Sequence, residues 1–169
     1  MELKDFVEQA LDEADTLLSR ALDGLTVEEL AWRPSREANS IGFLLWHSSR
    51  VEDGWIWRLN PSRPQVYEAE GWYEKFGTER RDSGHQYTAE QLERFTVPPL
   101  DQLLEYGKSV RNRTLHYLKE IPVGKLDEKP IKDRPEYTIG GVFRHLVVEL
   151  SQHIGQIAYL RGLRRGLNK

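Results

Sequence analysis

Between Leu3 and Leu22, apolar side chains recur at intervals of three and four residues: Leu3, Phe6, Val7, Ala10, Leu11, Ala14, Leu17, Leu18, Ala21 and Leu22. That spacing is the period of an α-helix with one face turned to a core, and it conflicts with the alternation of a half-buried strand. The pattern returns along the chain. A second helix is predicted from Ser40, a good N-cap, to about Leu59. Its inward side would carry Ile41, Leu44, Leu45, His47, Ser48, Val51 and Trp55, with Glu52 beside them. A third is predicted from Pro99, suited to a first turn, to Glu120. Its stripe is Leu100, Leu103, Leu104, Val110, Thr114, Tyr117, Leu118 and Ile121. The fourth begins after Thr138 and runs to about Arg164, with Val142, Leu146, Glu149, Leu150, His153, Ile157 and Leu160 on one face. No stretch has convincing strand alternation. The expectation is an all-α four-helix bundle, with residues 1–169 forming one domain.

The connections are unequal. Gly24 ends the first helix, and Thr26-Val-Glu-Glu29 has the form of a capping box opening a short turn that Trp32-Arg-Pro34 breaks. Asn60-Pro61 ends the second helix. From there to residue 98, Pro61, Pro64, Gly71, Gly77 and Gly84 interrupt any long period, with Thr88-Ala-Glu-Gln91 capping one short helix. A connection this long calls for a reason. It would cross the whole bundle, letting the second and third helices lie parallel, and its aromatics (Tyr67, Trp72, Tyr73, Phe76, Tyr87, Phe95) would pack over one bundle end. Residues 122–135, with Pro122, Pro130 and Pro135, read as a loop.

Composition narrows the function. The net charge is −3 and 30% of residues are charged, as for a solvated exterior. The only basic concentration is Arg161, Arg164, Arg165 and Lys169, which suits a helix C-terminus, so no nucleic-acid partner is expected. There is no cysteine, which removes disulfides, thiolate–metal bonds and a cysteine nucleophile; sulfur could enter only on a ligand. No apolar run is long enough to span a membrane, and Met1-Glu-Leu-Lys-Asp5 lacks the apolar core of a leader. A cytoplasmic location is the expectation.

The chemistry concentrates in His145-Leu-Val-Val-Glu149-Leu-Ser-Gln-His153. Residues four apart project from one helix face. A carboxylate and an imidazole there, turned toward the core, need a hydrogen-bond partner or a metal. Few cations are visible on the inward faces of the other helices to pair with Glu149. His47 lies on the second helix, in Phe43-Leu-Leu-Trp-His47. Two histidines and a glutamate form a common catalytic zinc set with an open position, and bundles build such sites from facing helices. A hydrogen-bonded structural cluster that only sets helix register is the competing reading. His145 lies about 12 Å along the axis from His153, too far to share its ion, and is a rim or supporting residue. His116 falls off its stripe and is expected in solvent. His85, in Ser83-Gly-His-Gln-Tyr87, belongs to a turn that could line the site mouth.

Together, Leu44-Leu-Trp-His47, Glu52, Trp55 and the end His153-Ile-Gly155-Gln156-Ile157…Leu160-Arg161 resemble the DinB/YfiT-like superfamily of metal-binding four-helix bundles. Trp72-Tyr-Glu-Lys-Phe76 through Thr88-Ala-Glu-Gln91 is similar to the long connection of one DinB-like branch, so the resemblance covers nearly the whole chain. Most such proteins have histidine where this chain has Glu149. The pattern is similar instead to the mycothiol-dependent maleylpyruvate isomerase branch, in which a helix-2 histidine and a Glu-x3-His pair hold zinc. The resemblance thus implies His47, Glu149 and His153 as metal ligands, and the expected ion is divalent, zinc or nickel. The resemblance supplies no substrate, but its characterised members include isomerases and transferases that use low-molecular-weight thiols, which makes such a thiol the expected cosubstrate.

The functional expectation is a divalent-metal enzyme acting on a small molecule, a thiol-dependent S-transferase or isomerase. A non-catalytic metal-binding stress-response module and a metal-dependent hydrolase are the alternatives. A homodimer is also expected. The five tryptophans and seven tyrosines exceed what one four-helix core readily hides, and aromatics are enriched in interfaces.

Overall fold

The computed structural model describes residues 2–166. Every regular element among them is helical. The long helices are α1 (Leu3–Leu22), α3 (Ile41–Leu59), α7 (Leu100–Glu120) and α8 (Ile139–Arg165). Four short ones join them: α2 (Val27–Ala31), α4 (Val66–Ala69), α5 (Trp72–Lys75) and α6 (Ala89–Arg94), with a 3-10 turn at Val123–Lys125. The local signals in the sequence act where they stand. The hydroxyls of Ser40 and Thr138 accept from the N–H groups of Phe43 and Gly141. Thr26 with Glu29, and Thr88 with Gln91, form reciprocal capping boxes. These side chains satisfy N–H groups that a helix start leaves without partners. Pro99 is the cap of α7 rather than part of its first turn. The helices α4 and α5 left no trace in the periodicity, because four residues make barely one turn.

Pairwise contacts give the course of the chain. Glu52 meets Arg111 and Leu59 meets Tyr117, so α3 and α7 run parallel. His47 faces His153 and Trp55 faces His145, so α8 runs antiparallel to α3. Arg111 reaches Asp15 while Lys119 meets Lys4, so α1 is antiparallel to α7 and hence parallel to α8. The bundle is therefore up–down–down–up. Parallel α3 and α7 require the chain to travel back along the bundle between them, which is what residues 60–99 do.

That crossover is part of the core. Tyr67, Trp72 and Phe76 are buried with Phe43, Trp46 and Tyr106 in one apolar cluster. Truncating such an aromatic typically costs about 3–5 kcal/mol. The other half of the bundle buries Leu11, Ile56, Leu118, Phe143, Leu146 and their neighbours. The aromatics that looked surplus to a four-helix core are largely absorbed here.

Mid-bundle, α3 buries charge. Arg50, Glu52 and Asp53 are all inaccessible, as is Arg111 on α7. This corrects the expectation of few inward cations, although neither arginine pairs with Glu149. Arg111 forks onto Glu52 at 2.9 and 3.0 Å. Asp53 accepts from the N–H groups of Val66 and Tyr67 at 2.9 Å each, anchoring the start of α4. Burial raises its carboxyl above the usual range, and those N–H donors and Arg50 pull it back. Leu104, expected inside, is exposed. The C-terminal arginines do more than face a dipole: Arg165 binds Glu29 at 2.6 Å and Arg161 donates to the carbonyl of Ala21. Lys169 lies outside the described residues. Among the described residues no helix is long and apolar enough to cross a membrane.

Candidate metal centre

His47 sits near the middle of α3 with its ring stacked on Phe43, 5.8 Å between centres. Its Nδ1 makes a very short contact with the backbone carbonyl of Ser83. A carbonyl only accepts, so Nδ1 carries the proton and Nε2 is left with a lone pair. Burial lowers the pKa of this imidazole, more than the Ser83 carbonyl raises it, so the ring is held in the neutral, metal-binding form.

Ser83 is delivered by the crossover. Gly84 has φ +72°, and a Cβ there would lie 2.7 Å from ring atoms of both Phe43 and Trp46. Only glycine lets the backbone approach this closely in that conformation. Arg50 Nε donates to the Asp82 carbonyl at 2.8 Å and fixes the same turn from the other side.

His153, on α8, has the complementary arrangement. Its Nδ1 lies 3.1 Å from Gln156 Oε1, which again puts the proton on Nδ1. Its Nε2 is buried and has no hydrogen-bond partner. That atom lies 3.3 Å from Glu149 Oε2. The rings of His153 and His47 are 5.2 Å apart and nearly perpendicular, at 83°.

These separations test whether an ion fits. Ligand atoms 2.0–2.1 Å from a tetrahedral zinc are about 3.3 Å from each other, and two imidazoles sharing it have ring centres about 5 Å apart. The His153–Glu149 and His153–His47 relations both match. Among the described residues, however, no group of three or more His, Asp or Glu side chains is placed so as to hold a metal ion. The carboxylate of Glu149 is divided: its Oε1 faces His145 Nε2 at 3.6 Å. Two pairwise spacings thus match those around a divalent ion, while the three side chains together are not gathered around one point.

The sequence placed Glu149 and His153 on the core stripe; both sit at its edge. The buried line of α8 is Val142, Phe143, Leu146, Leu150, Ile154, Ile157 and Leu160. Glu149, His47, His145 and His85 line a cavity of about 670 Å³. His145 is held edge-on by Trp55 and Tyr137. His85, in the turn between the left-handed Gly84 and Gln86, reaches the same cavity, as its position suggested. His116 is 58% exposed beside Glu120, away from the site. Sequence reasoning missed Ser83 and Arg50. Ser-Gly marked the turn, but nothing local marks a carbonyl that will meet a ring 36 residues away.

A bundle of this course, with a long crossover packed over one end, defines a helical class, and the sequence places the chain within it. It belongs to the DinB superfamily, whose model matches residues 10–157. A solved structure, "Crystal structure of the conserved protein of locus from Enterococcus faecalis", is similar at 26% identity and a TM-score of 0.84. The alignment covers 96% of this chain and 97% of that one. No curated protein matches.

Proposed function

We propose that this DinB-superfamily chain is a divalent-metal enzyme acting on a small molecule in the 670 Å³ cavity, with His47, Glu149 and His153 holding zinc or nickel. The observation that carries the reading is the buried, unpartnered Nε2 of His153. A buried acceptor without a partner costs about 1–3 kcal/mol, and a metal would relieve that cost. The carbonyl of Ser83 and the amide oxygen of Gln156 keep both protons on Nδ1, so both Nε2 atoms offer lone pairs. Glu149 contributes the negative charge that a neutral imidazole pair lacks. A divalent ion held there would lower the pKa of a bound thiol or water toward neutrality and so supply a nucleophile. The cavity over His47 and Glu149 gives a small molecule access to it. The chain has no cysteine, so a sulfur nucleophile would arrive as a low-molecular-weight thiol, and the reaction class is S-transfer or isomerisation.

Elemental analysis of the purified protein tests the site. A single divalent ion per chain is expected, lost in His47→Ala, Glu149→Ala and His153→Ala and kept in His145→Ala and His116→Ala. Stoichiometric metal in Glu149→Ala would remove the carboxylate from the ligand set. For the reaction class, the cobalt-substituted protein should change its absorption when a small thiol is added, more strongly as pH rises, because binding releases the thiol proton. Cobalt protein that stays silent with every thiol would favour a hydrolase.

A further inference from the structure

The rim of the cavity over His47 and Glu149 is opposite in sign to the protein. The chain is net −3, yet Arg58, Arg81 and Arg134 line this cavity, with Glu68 as the carboxylate besides Glu149. The fourth lining arginine, Arg50, is buried against Asp53 at 3.3 Å and adds shape rather than net charge. The other three are available. Arg58 lies 3.8 Å from Asp133, and Arg134 lies 3.9 Å from Glu136, with exposed carboxylates in both cases. Such pairs contribute little and are readily exchanged for a better-placed anion. Arg81 has no hydrogen-bond or ion-pair partner among the described residues. Guanidinium forks match the paired oxygens of carboxylate and phosphate. A concave wall with an excess of one sign also concentrates the field inside it.

We propose that the molecule bound here is an anion, carrying a carboxylate or phosphate group that Arg81 and Arg134, with Arg58, hold at the rim. The body of the ligand lies along Trp55 and Tyr137, whose rings are 4.6 Å apart on the same wall. The reacting end then points to His47 and Glu149. Only this last statement rests on the metal-enzyme reading; selection of an anion does not.

The test is calorimetric titration of the full chain with benzoate, phenyl phosphate and benzyl alcohol, in chelator-treated and zinc-loaded forms. At least one anion should bind on the order of tenfold more tightly than the neutral alcohol in both forms, the size of one charge-assisted contact. The preferred anion distinguishes carboxylate from phosphate. The preference should shrink toward unity in Arg81→Gln/Arg134→Gln and with added salt, but persist in Arg20→Gln/Lys119→Gln, which removes an equal charge from exposed sites on α1 and α7. Equal binding of the three probes, no binding of either anion, or a preference unchanged in the double variant would overturn the proposal. So would an anion preference confined to the zinc-loaded form and indifferent to the arginines, because the ion would then be the receptor. An arginine-dependent preference in a chain that holds no metal would support this proposal while removing the metal-enzyme reading.

Discussion

Replacing Gly84 by alanine should report on the contact between crossover and site. Two costs apply. At φ +72° a Cβ strains the backbone by about 1–2 kcal/mol. It would also stand 2.7 Å from the rings of Phe43 and Trp46, which are buried and cannot swing aside. Overpacking of that kind costs about 1–3 kcal/mol. The sum, about 2–5 kcal/mol, corresponds to roughly 5–15 °C of melting temperature for a domain of this size. Gly77→Ala is the control. Its φ is +63°, but nothing lies within 4 Å of the added Cβ, so it carries the strain without the clash. Urea unfolding of both variants separates the two terms. Because Ser83 precedes Gly84, the alanine should also shift the carbonyl that orients His47 and weaken divalent-ion binding, whereas Gly77→Ala should not. Equal stability of the two variants, within error, would refute the packing argument.

Other consequences follow from the charges and faces. Arg111→Met leaves Glu52 buried without its partner and should cost about 3–5 kcal/mol, while Glu52→Leu/Arg111→Met should recover most of it in chemical denaturation; a double variant no better than the single would show that the stranded charge is not the cause. The Arg165 side chain bonded to Glu29 holds that carboxyl down at about 2, below its ordinary 4.5, so its stabilisation is full above pH 4.5 and is lost as pH falls toward 2. In Glu29→Gln the melting temperature should therefore fall less between pH 5 and pH 2.5 than in the wild type, and parallel profiles would remove the assignment. Leu3, Phe6 and Leu17 on α1, with Val148, Tyr159 and Leu163 on α8, leave large apolar side chains exposed on two adjacent helices. Light scattering at micromolar concentration should give a dimer mass, and a monomer would dismiss the homodimer.

The long helices and their caps were legible because they are local facts. A period of three to four residues, a serine or threonine at the start and a glycine or proline at the end all act within a few residues, so α1 and α3 begin and end where the pattern places them. The Glu149–His153 pairing was legible for the same reason, since one helical turn sets it. The long interval between α3 and α7 also carried its meaning: a chain cannot place those helices in parallel without returning along the bundle.

Contacts between elements were decided by the tertiary structure alone. That His47 meets His153, that the Ser83 carbonyl fixes its tautomer, and that Arg111 claims Glu52 while Arg50 reaches the Asp82 carbonyl depend on the rotation of each helix and the path of the crossover. The same holds for Arg81 and Arg134, which come from different loops to one rim. A helix repeats its own geometry in its sequence. A contact between two elements is made once, at a place set by the packing of all the others, and leaves no periodic mark on either strand of sequence that forms it.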